Sequence, residues 1–305
     1  SIVALDPKQE LFELTGAVRA DNGHEVHLFD PFSAEGRTAR WNPCSYIRRD
    51  PELRIDDIKS IAISLIPDSA NGENFFPEAA RSFFTGLALY CLDKEAACHA
   101  DGRPYTTTIK GILDLARGSN GDEVISYFSS IIKDKFVSDD ARRAISAGIS
   151  AGDKTFGSIL TTVTTNLSPW MSQTVAEATS ADDFDLRDVR RKKMSIYLGV
   201  QPPDLAKAGK IINLFYTQLI NANTEMLPSR DPELKYECLL LMDEATAPGR
   251  IDALAKAIAY MAGYGLRLLS TANTPQTAAA GNRWPVNLSG NLPQAIIPAL
   301  CRDFY

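Results

Sequence analysis

Residues 236–250 read YECLLLMDEATAPGR, an apolar run that ends on two adjacent carboxylates, Asp243 and Glu244. The run has the composition of a buried strand, and the segment IDALAKAIAYMAG that follows it has the spacing of a helix. A strand followed by a helix is typical of a parallel α/β sheet, in which ligands bind at the carboxyl ends of the strands. The acidic pair is therefore predicted to lie at a ligand-binding edge.

The residues alone leave two interpretations of this pair open. In the first, Asp243 and Glu244 are the solvated end of a core strand, which is a common arrangement. In the second they form a Walker B element, in which the Asp holds Mg²⁺ and the Glu orients the attacking water. Two neighbouring acids repel each other unless a cation lies beside them, and the α/β setting favours the second interpretation.

The α/β pattern recurs on both sides of a long helical segment. Before the helical segment, the pattern predicts a strand in SIVALD, a helix in ELFELTGAVRADNG and a second strand in EVHLFDPF. After it, the pattern predicts strands in MSIYLGV and GLRLLST. Four domains are predicted. They are a first part of a nucleotide-binding domain (1–74), an all-helical insertion (75–185), a second part with the acidic pair (186–276) and a divergent tail (277–305).

The composition argues against a metal-cysteine or disulfide-based protein and leaves the partners open. Lys and Arg number 32 against 38 Asp and Glu, so the chain has no overall basic excess that would indicate a nucleic-acid binder. The five cysteines are scattered and form no CxxC pair, which argues against a zinc site and a disulfide framework. A local basic run, RDVRRKKM at 187–194, either contacts phosphates or is a solvated domain join, and the second reading is favoured.

The sequence G-x-x-x-x-G-K-[ST], whose amides and lysine hold the phosphates of ATP, does not occur in the chain. The nearest set, Gly148, Gly152, Lys154 and Thr155, has the wrong spacing and lies in an Ala-rich helical stretch. In P-loop folds this loop follows the first strand, and this chain opens inside a predicted strand. We therefore expect the loop to lie upstream of Ser1.

Several blocks, taken in order, resemble the nucleotide-binding region of the type IV secretion coupling proteins, the TraG-like conjugal DNA-transfer ATPases. They are SIVALDPKQELFELT, HEVHLFDPF with WNP, FFPEAARSFFTGLALY, IYLGVQPPDLAKAGKIINLFYTQL and LLLMDEATAPGRIDALAKAIAYMAGYGLRLL. These blocks cover nearly everything up to about residue 276. The resemblance implies a RecA-like P-loop NTPase parallel sheet, incomplete at its amino terminus, that carries an all-helical inserted domain.

The resemblance also implies a function. It predicts an ATP-driven coupling protein with ATP and Mg²⁺ as cofactors, which delivers DNA or protein substrates to a secretion channel. The implied partners are DNA, as a relaxosome or transfer intermediate, and the channel proteins. The implied assembly is a homo-hexamer at the cytoplasmic face of the bacterial inner membrane, with its membrane anchor upstream of Ser1.

Matched position by position, the resemblance assigns roles to five residues. Asp243 stands where the family has its Mg²⁺ ligand, and Glu244 where it has its catalytic acid. Asn273 stands at the spacing where the family usually has a Gln near the γ-phosphate. Asp6 and Lys8 fall in a D-P-K-G-E stretch and are predicted to bind the cofactor.

One position in that stretch departs from the family. Gln9 replaces the usual Gly, so the backbone packing of this turn is expected to differ. Two rival functions also remain open at this point. The helical domain could recognise substrates while the sheet is catalytically silent, or the chain could belong to a ring DNA translocase or helicase unrelated to secretion.

Overall fold

A computed structural model describes residues 1–69, 72–118, 124–242 and 251–270 of the chain. The chain divides into two compact units. The first is formed by Ser1–Trp41 together with the chain from Asp182 onward, and the second is Asn42–Ala181. Within the described ranges, no helix has both the length and the hydropathy that crossing a bilayer requires.

The first unit contains a sheet of five strands in its described part. They are β1 (Ile2–Leu5), β2 (Glu25–Phe29), β3 (Met194–Leu198), β4 (Cys238–Met242) and β5 (Leu266–Ser270). The order across the sheet is β2-β3-β1-β4-β5, and every neighbouring pair is parallel. Leu198 pairs with both Phe29 and Leu5, and Leu5 also pairs with Met242. Four strands therefore end at the same level, which creates a common carboxyl edge.

The described residues contain ten α-helices, numbered here in the order in which they occur along the chain. They are α1 (Glu10–Asp21), α2 (Arg54–Leu65), α3 (Phe75–Ala100), α4 (Ile109–Arg117), α5 (Val124–Ile131), α6 (Asp139–Ile149), α7 (Asp153–Asn166), α8 (Gln173–Ala178), α9 (Leu205–Thr224) and α10 (Asp252–Ala257). Helices α1, α9 and α10 belong to the sheet unit, and α2 to α8 form the helical unit.

Apolar contacts hold α1 and α9 in the sheet unit. Phe12 of α1 packs edge-on against Tyr197 of β3, with ring centroids 5.5 Å apart. Phe215 of α9 stacks on Phe29 of β2 at 5.9 Å and contacts Trp41 at 5.0 Å. The three inner strands, β1, β3 and β4, are buried at every residue, as expected for the middle of a parallel sheet, whereas the edge strand β2 is mostly half-buried.

The helical unit is organised around α3, the 26-residue helix, which contacts α2, α4, α6 and α7. Phe83 of α3 meets Phe128 of α5 and Phe156 of α7, each at 5.2 Å between ring centroids. Gly148 of α6 permits this packing, because a Cβ there would lie 2.7 Å from the Phe83 ring. The close approach of α3 and α6 thus depends on a glycine, which has no side chain, at position 148.

The structure refines the sequence predictions in three places. The Ala-rich helical stretch that contains Gly148 and Lys154 is two helices, α6 and α7, because Gly152 adopts φ +88° between them. The helix predicted over 251–263 is shorter, since α10 ends at Ala257. Helix α2 was not predicted, and its buried face, which includes Ile58 and Leu65, packs on α3.

The compact units divide after Trp41 and after Ala181, whereas the sequence pattern predicts joins at 74/75 and 185/186. Most of this difference is the stretch that contains α2, whose apolar residues pack on α3 within the helical unit. That the chain can be separated into domains at 74/75 and 185/186 remains a prediction.

Candidate functional site

The candidate site is the carboxyl edge of the sheet, where the described turns after β1, β2 and β3 begin side by side. Asp6 follows β1, Asp30 follows β2 and Gly199 follows β3, and each lies one residue beyond paired positions at the strand ends. The ladder continues into these residues, because the Asp6 amide donates to the Leu198 carbonyl at 3.0 Å. Ligands of parallel α/β proteins bind at this edge.

The predicted residue Asp6 is buried, with 1% of its surface exposed. Its Oδ2 accepts a hydrogen bond from the backbone amide of Phe12 at 2.8 Å, and its carbonyl accepts from the Gln9 amide at 3.1 Å. A carboxylate in this position satisfies a first-turn amide of α1 and interacts favourably with the positive end of the helix dipole. Asp6 therefore fixes the turn that leads from β1 into α1.

Asp30 is the second buried carboxyl group at this edge. Its Oδ1 accepts from the Phe32 amide at 3.1 Å, and its Oδ2 accepts from the Gln9 side-chain amide at 2.9 Å. Burial raises the pKa of Asp30, while these two hydrogen bonds act in the opposite direction. The group is thus held by donors from two separate turns.

Gln9 links the ends of three strands. Its Nε2 donates to Asp30 Oδ2 and, at 2.7 Å, to the carbonyl of Gly199. The sequence singled out this position only as a departure from glycine and did not predict these bonds. Lys8, between Asp6 and Gln9, is exposed at the same turn.

The remaining three predicted site residues follow β4 and β5 in the sequence. Asp243, Glu244 and Asn273 lie outside the described residues, and β4 is described to Met242, the residue before the acidic pair. Among the described residues, no group of three or more His, Cys, Asp or Glu side chains could hold a metal ion. The structure therefore brings Asp6 and Lys8 together in one turn and leaves the roles of all five as predictions.

The basic run before β3 makes bonds within its own unit. Three of its cations form ion pairs, Arg187 with Asp185, Arg191 with Asp231, and Lys192 with Asp188. Arg190 is 1% exposed, and its Nη1 donates to the carbonyls of Asn223 and Met226 at the end of α9. These contacts give the basic run a structural role at the amino end of β3, which is the end opposite the candidate site.

The parallel sheet, with a helical unit inserted in the chain between β2 and β3, agrees with the RecA-like P-loop NTPase fold that the resemblance implies, and the solved structures described below share this fold. The family model described as type IV secretory system conjugative DNA transfer matches residues 1–273, and the chain belongs to this family.

Relatives of known name agree with this assignment. The chain is 31% identical over 276 residues to protein VirD4 of Rhizobium rhizogenes, an alignment that covers 88% of this chain and 38% of VirD4. It is 24% identical over 285 residues to the conjugal transfer protein TraG of Escherichia coli, covering 88% of this chain and 43% of TraG. The chain thus spans less than half the length of these relatives.

Solved structures share the fold. The unbound coupling protein TrwBdeltaN70 superposes with a TM-score of 0.60 at 16% identity, covering 88% of this chain and 54% of that chain. TrwB in complex with the non-hydrolysable ATP analogue ADPNP gives a TM-score of 0.56 at 17% identity, covering 88% of this chain and 56% of that chain. At these identities the likeness establishes the fold alone.

Proposed function

We propose that this chain forms one side of the ATP site of a type IV secretion coupling protein, and that ATP hydrolysis there drives the transfer of DNA or protein substrates. The observation that carries the proposal is the sequence of the acidic pair, which directly follows β4, a strand whose last described residue pairs with Leu5 at the carboxyl edge. The family match supports the same reading, and TrwB, which shares the fold, has been solved with an ATP analogue.

The proposed roles follow from the chemistry of the side chains. Carboxylate oxygens are ligands that Mg²⁺ prefers, so we assign Asp243 to the metal and Glu244 to orienting the attacking water. Mg²⁺, when bound with ATP, compensates the charge of the phosphates. We assign Lys8 to a phosphate contact, Asp6 to holding the turn that presents it, and Asn273 to the amide position near the γ-phosphate.

The partners and location are proposals of the same kind. We propose DNA and the proteins of a type IV secretion channel as partners, since the matching family is that of conjugative DNA transfer. A homo-hexamer at the cytoplasmic face of the inner membrane is the assembly that the resemblance implies. Its anchor would lie in the portion of the relatives' length that this chain does not cover.

The test uses the extended protein, by which we mean residues 1–305 together with the flanking sequence that would bring the chain to the length of its relatives, of which it covers 38% and 43%. Glu244→Gln should keep ATP binding and lower kcat by about 100-fold or more, because only the step that activates water is lost. Asp243→Ala should also weaken Mg²⁺-dependent ATP binding.

Glu237→Gln is the matched control, because Glu237 lies just before the opposite end of β4 and forms an exposed ion pair with Arg267 at 2.9 Å. Its turnover should equal that of the wild type. Equal turnover in the wild type and Glu244→Gln would support the other interpretation, in which the acidic pair is the solvated end of a core strand. An extended protein that binds substrate and hydrolyses no ATP would favour the silent module instead.

A further inference from the structure

The backbone of Gln9 has an unusual conformation. Among the described residues it is the one non-glycine residue with positive φ, at φ 59° and ψ 11°. A residue with a Cβ rarely adopts this left-handed region, because the side chain crowds the neighbouring carbonyl. Such a conformation persists where the surrounding structure determines it, often at a functional site. The contacts of the side chain show what determines it here.

The hydrogen-bond partners of Gln9 fix the orientation of its side-chain amide. Both groups that it meets, Asp30 Oδ2 at 2.9 Å and the Gly199 carbonyl at 2.7 Å, are acceptors, so only the NH₂ of the amide can face them. Gly199 makes room for it, since a Cβ there would lie 2.9 Å from Gln9 Nε2 and 3.0 Å from its Cγ. The side chain is therefore anchored to the ends of β2 and β3.

This anchor fixes the turn that carries Lys8. The Gln9 amide donates to the Asp6 carbonyl at 3.1 Å, and the Gln9 carbonyl accepts from the Glu13 amide at 3.0 Å. Pro7 restricts the same turn through its ring. Lys8 thus stands between a proline and an anchored residue, and the direction of its Cα–Cβ bond is set by both.

We propose that Gln9 is a positioning residue of the ATP site, which holds the Asp6–Gln9 turn so that the Lys8 ammonium is presented to the phosphates. The inference rests on the function proposed above. A glycine at this position adopts positive φ without strain but supplies no anchor. The glutamine adopts the strained positive φ, and its side chain connects the turn by hydrogen bonds to the ends of β2 and β3.

The functional test measures KM and kcat for MgATP in the extended protein. Gln9→Gly should raise KM about tenfold and leave kcat within about twofold, because a phosphate contact is misplaced while the hydrolytic residues are intact. Lys8→Ala should raise KM at least as much. Since Gln9 acts through Lys8, the double variant should match Lys8→Ala alone.

A wild-type KM in Gln9→Gly, or KM effects of the two substitutions that multiply in the double variant, would overturn the positioning role while leaving the proposed function intact. Absence of ATP hydrolysis in the wild-type extended protein would instead overturn the proposed function and the inference with it. The two failures are therefore distinguishable in one set of measurements.

The anchor itself is tested without nucleotide, by thermal unfolding of residues 1–305. Gly199→Ala should lower the Tm more in the wild type than in Gln9→Gly, because removing the Gln9 side chain removes two of the three closest contacts of this Cβ and leaves the one with Leu28 Cδ1 at 2.8 Å. Gln9→Ala, which keeps the strain and loses the anchor, should unfold about 2–4 °C below Gln9→Gly. Additive Tm effects of Gly199→Ala and Gln9→Gly would contradict the anchor.

Discussion

Both units of the molecule bury carboxylates, but they connect them differently. In the helical unit, Asp93 accepts from Arg54, 39 residues away, and from the Ser138 amide, 45 residues away, both at 2.8 Å. In the sheet unit, Asp6 accepts from the Phe12 amide, six residues along the chain. The first arrangement joins distant helices, and the second shapes a turn at a strand end. Asp93 thus connects separate helices of the helical unit, whereas Asp6 shapes one turn of the candidate site.

The largest effect on stability is expected at Asp93. Asp93→Ala should lower the free energy of unfolding by about 3 kcal/mol, because it leaves the Arg54 guanidinium without its carboxylate and the Ser138 amide without its acceptor. The side chains of Arg54 and Asp93 are only 13% and 7% exposed, so water compensates little. Urea denaturation followed by circular dichroism measures the change.

The matched control is Asp101→Ala, at the exposed carboxyl end of the same helix, where the ion pair with Arg103 is mostly in water. It should change the unfolding midpoint little. If both variants unfold alike, Asp93 does not connect the helices in the way that the comparison requires.

A smaller, pH-dependent effect is expected at Glu95, which accepts from the Thr107 amide at 2.7 Å and from Arg49 at 2.9 Å. Burial alone would raise the pKa of Glu95, but these hydrogen bonds outweigh burial, and the pKa is lowered from 4.5. A lowered pKa in the folded state contributes stability above pH 4.5, and this contribution is lost as the pH falls through the folded-state pKa.

Glu95→Gln, which cannot ionise, should therefore be less stable than the wild type at pH 7, and the difference should shrink as the pH falls below about 4.5. Denaturant midpoints of both proteins between pH 3 and pH 7 provide the measurement. A difference that is constant over this range would show that the ionised carboxylate contributes nothing beyond its shape.

Much of the sheet was predictable because its information is local. Buried parallel strands are short apolar runs, so β1, β3 and β4 are visible in the sequence, and the position of Asp6 at a strand end follows from them. The bonds of Gln9 were not predictable, because they reach Asp30 and Gly199 across 21 and 190 residues. The break at Gly152 was missed because an isolated glycine is also tolerated inside a helix.

The central proposal is that residues 1–305 carry the acidic side of an ATP site without the G-x-x-x-x-G-K-[ST] loop that binds its phosphates. Calorimetric titration with MgATP of residues 1–305 and of the extended protein tests it most directly. Loop amides, the loop lysine and a helix dipole supply most phosphate affinity in such folds, and the sequence of this chain lacks the loop. We predict no saturable binding by residues 1–305 at millimolar MgATP, and saturable binding by the extended protein. Saturable binding or hydrolysis by residues 1–305 alone would contradict the account, because the phosphate site would then lie within this chain.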